Sequence, residues 1–253
     1  MSLVIDSGFN YDADASAYID AVEAADGQAL ETATRYAIND FVIGCKQDGI
    51  WSAIKASCIL AGARTLAGAL KPLAGTAPTP YFFVEGDYNR KTGLKGADSK
   101  YINSNRTDSN DPQNSIHIAT YISVSPVSVD GVYIGTFDRA TEIVTINNGV
   151  AFLTRNRAVV NNIISNSPST TAGLLATSRS SSNSYNIRIQ GQTLSASSTS
   201  VTPTGSAFGV FGHTAYADTT ARLSFYSIGE SLDLALLDAR VTALMSAFAA
   251  AIP

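Results

Sequence analysis

The chain has 253 residues, a net charge of -4, and 15% charged against 45% hydrophobic residues. That length buries a full core in one large domain, or in a β domain with helical additions, without disulfide or metal staples. The acidic balance argues against nucleic acid, since a groove for phosphates needs clustered Lys and Arg. The one locally basic stretch, from Asn89-Arg90-Lys91 to Lys100, is short.

Charge is scarcer than the usual quarter, so solubility rests on Ser, Thr, Asn and Gln. Such a surface suits a protein packed against its own copies or held in a larger particle. The N-terminus MSLVIDSGF has no basic region before its short apolar run, so no secretory signal is expected. No window reaches the ~18 uninterrupted apolar residues of a membrane span, so no membrane insertion is expected.

In chain order, residues 12–27 read as a first helix. Asp12 or Asp14 caps it, Tyr18, Ile19 and Val22 supply its apolar face, and Gly27 stops it. Leu30, Ala33, Ala37, Ile38, Phe41, Val42 and Cys45 then share one face of a second helix. Asp48-Gly49 breaks that period. Ile50, Trp51, Ile54, Cys58 and Ile59 form a shorter stripe that reads as a third helix, folding back as a helical hairpin with Trp51 in its core. Cys45 and Cys58 read as buried thiols. A disulfide between them stays open, because sequence does not fix its geometry. Residues 60–75 are a weak helix or a packed connector, and Pro72, Pro78 and Pro80 mark a boundary.

From Tyr81 the period changes to two. Strands are expected at 81–84, at 116–123 with one face buried, at 132–137, at 142–146 and 150–153 around an Asn147-Asn148-Gly149 turn, at 185–190, at 208–211 and at 223–228. From Ser165 to Ala207, 20 of 43 residues are Ser or Thr. Persistent Ile and Leu alternation there favours exposed strands with hydroxyl-bearing outer faces over a low-complexity linker. Ser231 to Ile252 is the second strong helix, with Ser231 as its cap and Leu234, Leu237, Val241, Leu244, Phe248 and Ile252 along one face. Leu236 and Met245 lie off that stripe, which fits either one wide interface or a second contact surface. The expected architecture is mainly β, an antiparallel sandwich between helical ends: a helical region at 1–78, the sandwich at 79–230 and a terminal helix at 231–253.

Four segments carry a resemblance. INDFVIGCKQDGIWSAIKA (38–56), preceded by DADASAYIDAV (12–22), resembles a motif of phage-encoded virion proteins. The ending RLSFYSIGESLDLALLDARVTALMSAF (222–248) is similar to the closure of those proteins, and NRKTGLKGADSKYINSNR (89–106) to the opening of their β domain. These proteins look like concanavalin A-like (laminin G-like) jelly rolls flanked by helices, found among tail-fibre and other structural genes. The resemblance covers about half of the chain at motif level. It brings no catalytic motif, so it implies no active-site residue, cofactor or metal.

The residues support that silence on chemistry. Glycoside hydrolysis needs two carboxylates about 5 to 9 Å apart, and the E-x-D-x-x-E strand of concanavalin-like hydrolases is missing. No Asp or Glu occurs between Glu142 and Asp218. His117 and His213 are too scattered for zinc. The loop Ser104–Gln113 reads as a solvated turn before it reads as a calcium loop. Asn89, Arg90, Tyr101, Asn105, Arg106 and Asp108 form a candidate glycan-contact rim. Arg155, Arg157, Arg179 and Arg188 lie in the acid-free region, read either as solvated strand charges or as contacts to acids of a partner. The expectation is therefore a non-enzymatic virion structural protein, assembled in the host cytoplasm, of the tail-fibre or tail-tip type. It would touch other virion proteins and a host-surface glycan. A capsid decoration protein and a polysaccharide depolymerase are the alternatives. Phe41, Trp51, Leu237, Leu244 and Phe248 would present assembly faces, in a homo-oligomer for which analogy with such fibres implies a trimer.

Overall fold

The computed structural model describes residues 11–126, 130–146, 151–164, 172–212 and 219–253. The chain opens with two helices, α1 (Ala13–Asp26) and α2 (Thr32–Gln47). Asp12 caps α1 by accepting from the Asp14 backbone N–H, and Gly27 ends it in the left-handed region. These two helices are the hairpin. Residues 50–59 are not its second arm: a single 3-10 turn at Trp51–Ala53 leads into strand β1 (Ile54–Ile59), which pairs antiparallel with the last strand of the chain. The apolar spacing that suggested a helix belongs to a strand buried on both sides, which leaves no two-residue alternation to read. The sandwich therefore begins well before residue 79.

A short helix α3 (Leu66–Ala69) follows, then β2 (Thr79–Tyr81), β3 (Tyr88–Asn89), β4 (Gly93–Lys95), β5 (Tyr101–Thr107), β6 (Ile116–Val124), β7 (Gly131–Thr136), β8 (Glu142–Ile146), β9 (Ala151–Arg155), β10 (Asn162–Ile164), β11 (Gly173–Arg179), β12 (Ser184–Ile189), β13 (Gln192–Ser197), β14 (Ala207–Val210), β15 (Arg222–Gly229) and α4 (Leu234–Ala251). The expected strand at 81–84 stops at Tyr81, because Phe82 turns to a φ of 61°. The expected Asn147-Asn148-Gly149 turn and His213 lie outside the described residues; β8 and β9 pair antiparallel. β11, β12 and β13 all lie within the Ser/Thr-rich stretch.

Two antiparallel sheets form. Sheet A runs β13-β12-β11-β6-β15-β4-β3 with β1 also on β15, and sheet B runs β10-β9-β8-β7-β14-β5-β2. Between them lies one core, with Cys58, Ile118, Ile122, Leu223, Tyr226 and Ile228 from sheet A against Ile102, Ile134, Ile143, Phe152, Phe208 and Val210 from sheet B. A second core lies on the other side of sheet A. There Ala119, Leu174, Ala176 and Phe225 meet Phe41, Val42, Cys45, Leu237, Val241, Leu244 and Phe248. The molecule is thus three layers deep, helices on sheet A on sheet B. β6 is buried on both faces rather than one.

This layering corrects the assembly surfaces. Phe41, Leu237, Leu244 and Phe248 are buried inside the chain and present nothing to a neighbour. Phe41 meets Phe225 edge-on with ring centroids 5.8 Å apart. Phe248 packs where only a glycine fits: a Cβ on Gly62, itself at φ +87°, would lie 2.6 Å from the ring. Trp51 is half-buried rather than core. Its indole N–H donates to Asp14 Oδ2 at 3.0 Å, and Lys46 Nζ sits 5.8 Å from its ring centroid. The cap of α4 is Asp233, whose Oδ1 accepts from the N–H groups of Ala235 and Leu236. Ser231 instead contacts Ser115. Cys45 and Cys58 are free and lie in different cores on opposite sides of sheet A, and burial pushes both thiols up to about 12.

Alone among the described helices, α4 has the length and hydropathy of a membrane span. Its apolar face is nevertheless committed to the core, and Asp238 on it pairs with Arg188 at 2.8 Å.

His117 ties the helix layer to sheet A. It is fully buried, with Nδ1 2.6 Å from the Glu230 carbonyl and Nε2 2.7 Å from Ser227 Oγ. A carbonyl only accepts, so Nδ1 carries the proton and Nε2 accepts from the serine. This network holds a neutral ring, and burial lowers the His117 pKa from 6.5 to about 4. Between those values the unfolded chain binds the proton that the folded chain refuses. Stability is therefore full above pH 6.5 and falls by about 3 kcal/mol as the pH drops to 4. Denaturant titrations across that window should show the decline, and His117→Asn should flatten it while lowering stability at neutral pH. An unchanged slope in the variant would assign the effect elsewhere. Phe248→Ala should cost about 3 to 5 kcal/mol in the same assay.

Candidate glycan-contact surface

The candidate rim divides by what its residues already hold. Asn89 accepts from the backbone N–H groups of Lys91 and Thr92 and shapes their turn. Arg90 forms a two-pronged pair with Glu31 at 3.1 and 2.7 Å and also donates to the carbonyls of Ala63 and Gly62. That pairing holds the Glu31 carboxyl down at about 2. Arg90 thus ties the start of α2 to the edge of sheet A. Asp108 is buried, and its carboxylate accepts from the N–H groups of Thr204 and Gly205. Arg106 pairs with Asp111 through two bonds of 3.0 and 2.6 Å. These four residues are structural ties.

Tyr101 and Asn105 do reach the surface, on the outer face of sheet B at its β2 edge. Tyr101 stacks on Tyr81 with centroids 4.4 Å apart and planes 9° from parallel, and Phe137 meets Tyr101 edge-on at 6.2 Å. Asn105, at a φ of 57°, donates to the Ala77 carbonyl and to Thr79 Oγ1. Phe82 beside them is 72% exposed in a left-handed conformation that a phenylalanine rarely adopts. The result is three rings in successive contact, Tyr81, Tyr101 and Phe137, with the exposed Phe82 next to Tyr81 in the chain and the Asn105 amide on the same strand as Tyr101. Flat aromatic faces bind the C–H faces of sugars, and amides bind hydroxyls, so the arrangement can hold a saccharide without acting on it. Tyr81, Phe82 and Phe137 were not expected at this site. A strand of four apolar residues at 81–84 does not by itself show which rings face water, although a proline such as Pro80 favours an edge strand.

The acid-free region supplies no catalytic pair. Arg157 and Arg179 are buried, not solvated. Arg157 donates to the carbonyls of Asp108, Asp111 and Pro112; burial lowers its pKa from the ordinary arginine value, and the charges of Asp108 and Asp111 work against that shift. Of the expected 104–113 loop, 104–107 belong to β5, and the positive charge held by the remainder is a guanidinium. Arg179 donates to the carbonyls of Asn156, Ser181, Ser184 and Ser198 and lies 5.4 Å from the Tyr185 ring. Arg155 reaches Glu142 at 3.4 Å and Arg188 reaches Asp238, both within the chain. Among the described residues no group of three His, Cys, Asp or Glu gathers in metal-binding distance. The groove between α2 and α4, lined by Asp40 and Arg240, contains one carboxylate.

No family model and no curated protein matches the chain. Similar solved structures are a Trypanosoma rangeli sialidase (TM-score 0.54, 9% identity, covering 84% of this chain and 39% of that chain), a mutant of that sialidase displaying trans-sialidase activity (TM-score 0.55, 8% identity, 83% and 39%) and the botulinum neurotoxin serotype D binding domain (TM-score 0.50, 14% identity, 76% and 51%). The chain spans between a third and about half of the length of these structures. At such identities the likeness is one of fold, a β-sandwich.

Because a guanidinium fills the 104–113 loop, neither added calcium nor EDTA should move the melting temperature. A calcium-dependent rise would place a metal there. Arg157→Met should destabilise by about 3 to 5 kcal/mol, since it leaves inward-facing carbonyls without a donor.

Proposed function

We propose that this chain is a bacteriophage virion structural protein of the tail-fibre or tail-tip type, a non-catalytic module whose sandwich touches a host-surface glycan. The observation that carries the binding role is the pair of exposed rings Tyr81 and Phe82, with half-buried Tyr101 and Phe137 packed behind Tyr81, on a body whose charged groups hold the scaffold together. The virion assignment rests on the motif resemblance. It gains support from one feature of the fold: the three resembling terminal pieces, 12–22, 38–56 and 222–248, meet in one cap. Asn39 accepts from the Asp12 N–H at 2.8 Å, Lys46 bridges Asp12 and Asp14, and Asp48 grips Arg240 of α4 at 2.7 and 2.9 Å. Arg240 passes so close over Gly44 that a Cβ there would lie 2.6 Å from Nη1. The motif is thus the signature of a folding unit, as suits a structural protein.

The test is binding of the purified chain to host cells and to an array of bacterial surface glycans. Tyr81→Ala and Phe82→Ala should each weaken binding at least tenfold, since stacking contributes about 1.5 kcal/mol or more per ring, with the melting temperature nearly unchanged. Blank arrays together with density for the chain on the capsid would make it a decoration protein. Release of reducing sugar from host envelope would make it a depolymerase.

A further inference from the structure

A two-sheet sandwich has four lateral edges, and three of them are blunted here; the edge that β3 ends is shared with β1, whose outer side is bonded at Ser57 to Leu73 and Ala74. β3 has two residues, β10 has three, and β2 has three with Pro80 at its centre. The fourth, β13, is six residues long, QTLSAS, with neither charge nor proline, and its pairing to β12 is regular without a bulge. Natural sheets guard such an edge with lysine, proline, a bulge or a cover. The sequence has no lysine after Lys100, and among the described residues nothing pairs with the outer side of β13.

The register fixes which backbone groups face outward. β12 and β13 join through Gln190 and Gly191, both at positive φ, with Ile189 opposite Gln192. Ser198 N–H donates inward to the Asn183 carbonyl. By alternation Gln192, Leu194 and Ala196 point their N–H and C=O groups at β12, while Thr193, Ser195 and Ser197 point theirs away. Exposed apolar side chains flank the edge. Leu194 lies on it, and Val159 and Val160, 75% and 63% exposed, line a concavity with Ser197, Ser198 and Thr199. The nearby arginines are neutralised or buried: Arg188 on Asp238, Arg155 on Glu142, and Arg179 among carbonyls. A second copy of this surface meets no like charge.

We propose that β13 pairs antiparallel with β13 of a second copy of this chain, joining two sheets A across a two-fold axis at Ser195. Thr193 then faces the partner's Ser197 and Ser195 faces its own counterpart, and each facing pair exchanges two N–H···O bonds. The interface is isologous, so it closes at two subunits instead of running on as a fibre. It is a dimer contact, distinct from the trimer that analogy with tail fibres implies, and it holds whether or not the virion assignment does.

The test is the mass of the full chain in solution by light scattering and sedimentation at micromolar concentration. The native chain should show twice its 26.5 kDa. Ser195→Lys and Ser195→Glu each place like charges across the axis and should give folded monomers. Mixed one to one, they should recover the doubled mass, and Ser195→Gln should stay a dimer. A native monomer, charged variants that remain dimeric, a trimer indifferent to both, or a mixture that stays monomeric would each overturn the pairing. Circular dichroism of the variants separates loss of pairing from loss of fold.

Discussion

Sheet A is apolar on both faces, and the rest of the molecule follows from that. Along β15, Phe225 points to the helices while Tyr226 points into the sandwich, where its hydroxyl lies 3.4 Å from Cys58 Sγ. A sheet of this kind cannot leave its second face in water, because each uncovered aromatic or large aliphatic side chain forgoes about 1.5 to 3 kcal/mol of burial. α2 and α4 supply the cover. Helices from the two ends of the chain are therefore obliged to meet on one surface, and strand β1, which follows α2, is drawn into the sheet beside β15. The ends of the chain behave as one structural unit closed by non-local pairing.

Apolar contact alone would let the helices slide, since packing is weakly directional. Directed polar ties fix the register. Arg240 to Asp48 sets α4 against α2, Lys46 and Trp51 hold the first turn of α1, and Asp26 accepts from the N–H groups of Arg64 and Thr65 to seat the approach to α3. Arg90 to Glu31 then fastens that cap to the far edge of sheet A. Several of these pairs are half-exposed and individually contribute little to stability. What they supply is geometry, and geometry is what the closely approached Gly44 and Gly62 presuppose.

The sandwich, its two main helices and the C-terminal packing stripe were legible because each has a long, single period. β1 was not, since IKASCI is a short apolar run, and such a run satisfies helix and buried-strand templates alike. Its length, too short for a stable helix, was the discriminating signal. β5 was hidden for the opposite reason: Asn103, Asn105 and Arg106 make YINSNRT look like a loop, although Ile102 and Ser104 alternate inward. At the candidate surface, the sequence reading includes Tyr101 and Asn105 and leaves out Tyr81, Phe82 and Phe137, because ring partners on different strands have no sequence spacing in common. Arg90, Arg106 and Asp108 looked available for a ligand because their partners, Glu31, Asp111 and the backbone near Thr204, are fixed only by the fold.

The low charge content acquires a meaning once those partners are known. Arg157, Arg179, Glu142, Asp108 and Asp111 are all buried, and each neutralises or satisfies another internal group. In an interior of low dielectric a charge without such partners would be prohibitive, so each one specifies where a loop must sit. Arg157 draws three carbonyls of the 108–112 loop onto itself, and Arg179 gathers the segments that follow β9, β11 and β13. Loops that in most sandwiches are the variable, mobile part are here anchored from within. The few charges drawn inward thus fasten the loops, while paired charges at the surface, such as Lys46 with Asp14 and Lys55 with Glu230, stay in contact with water.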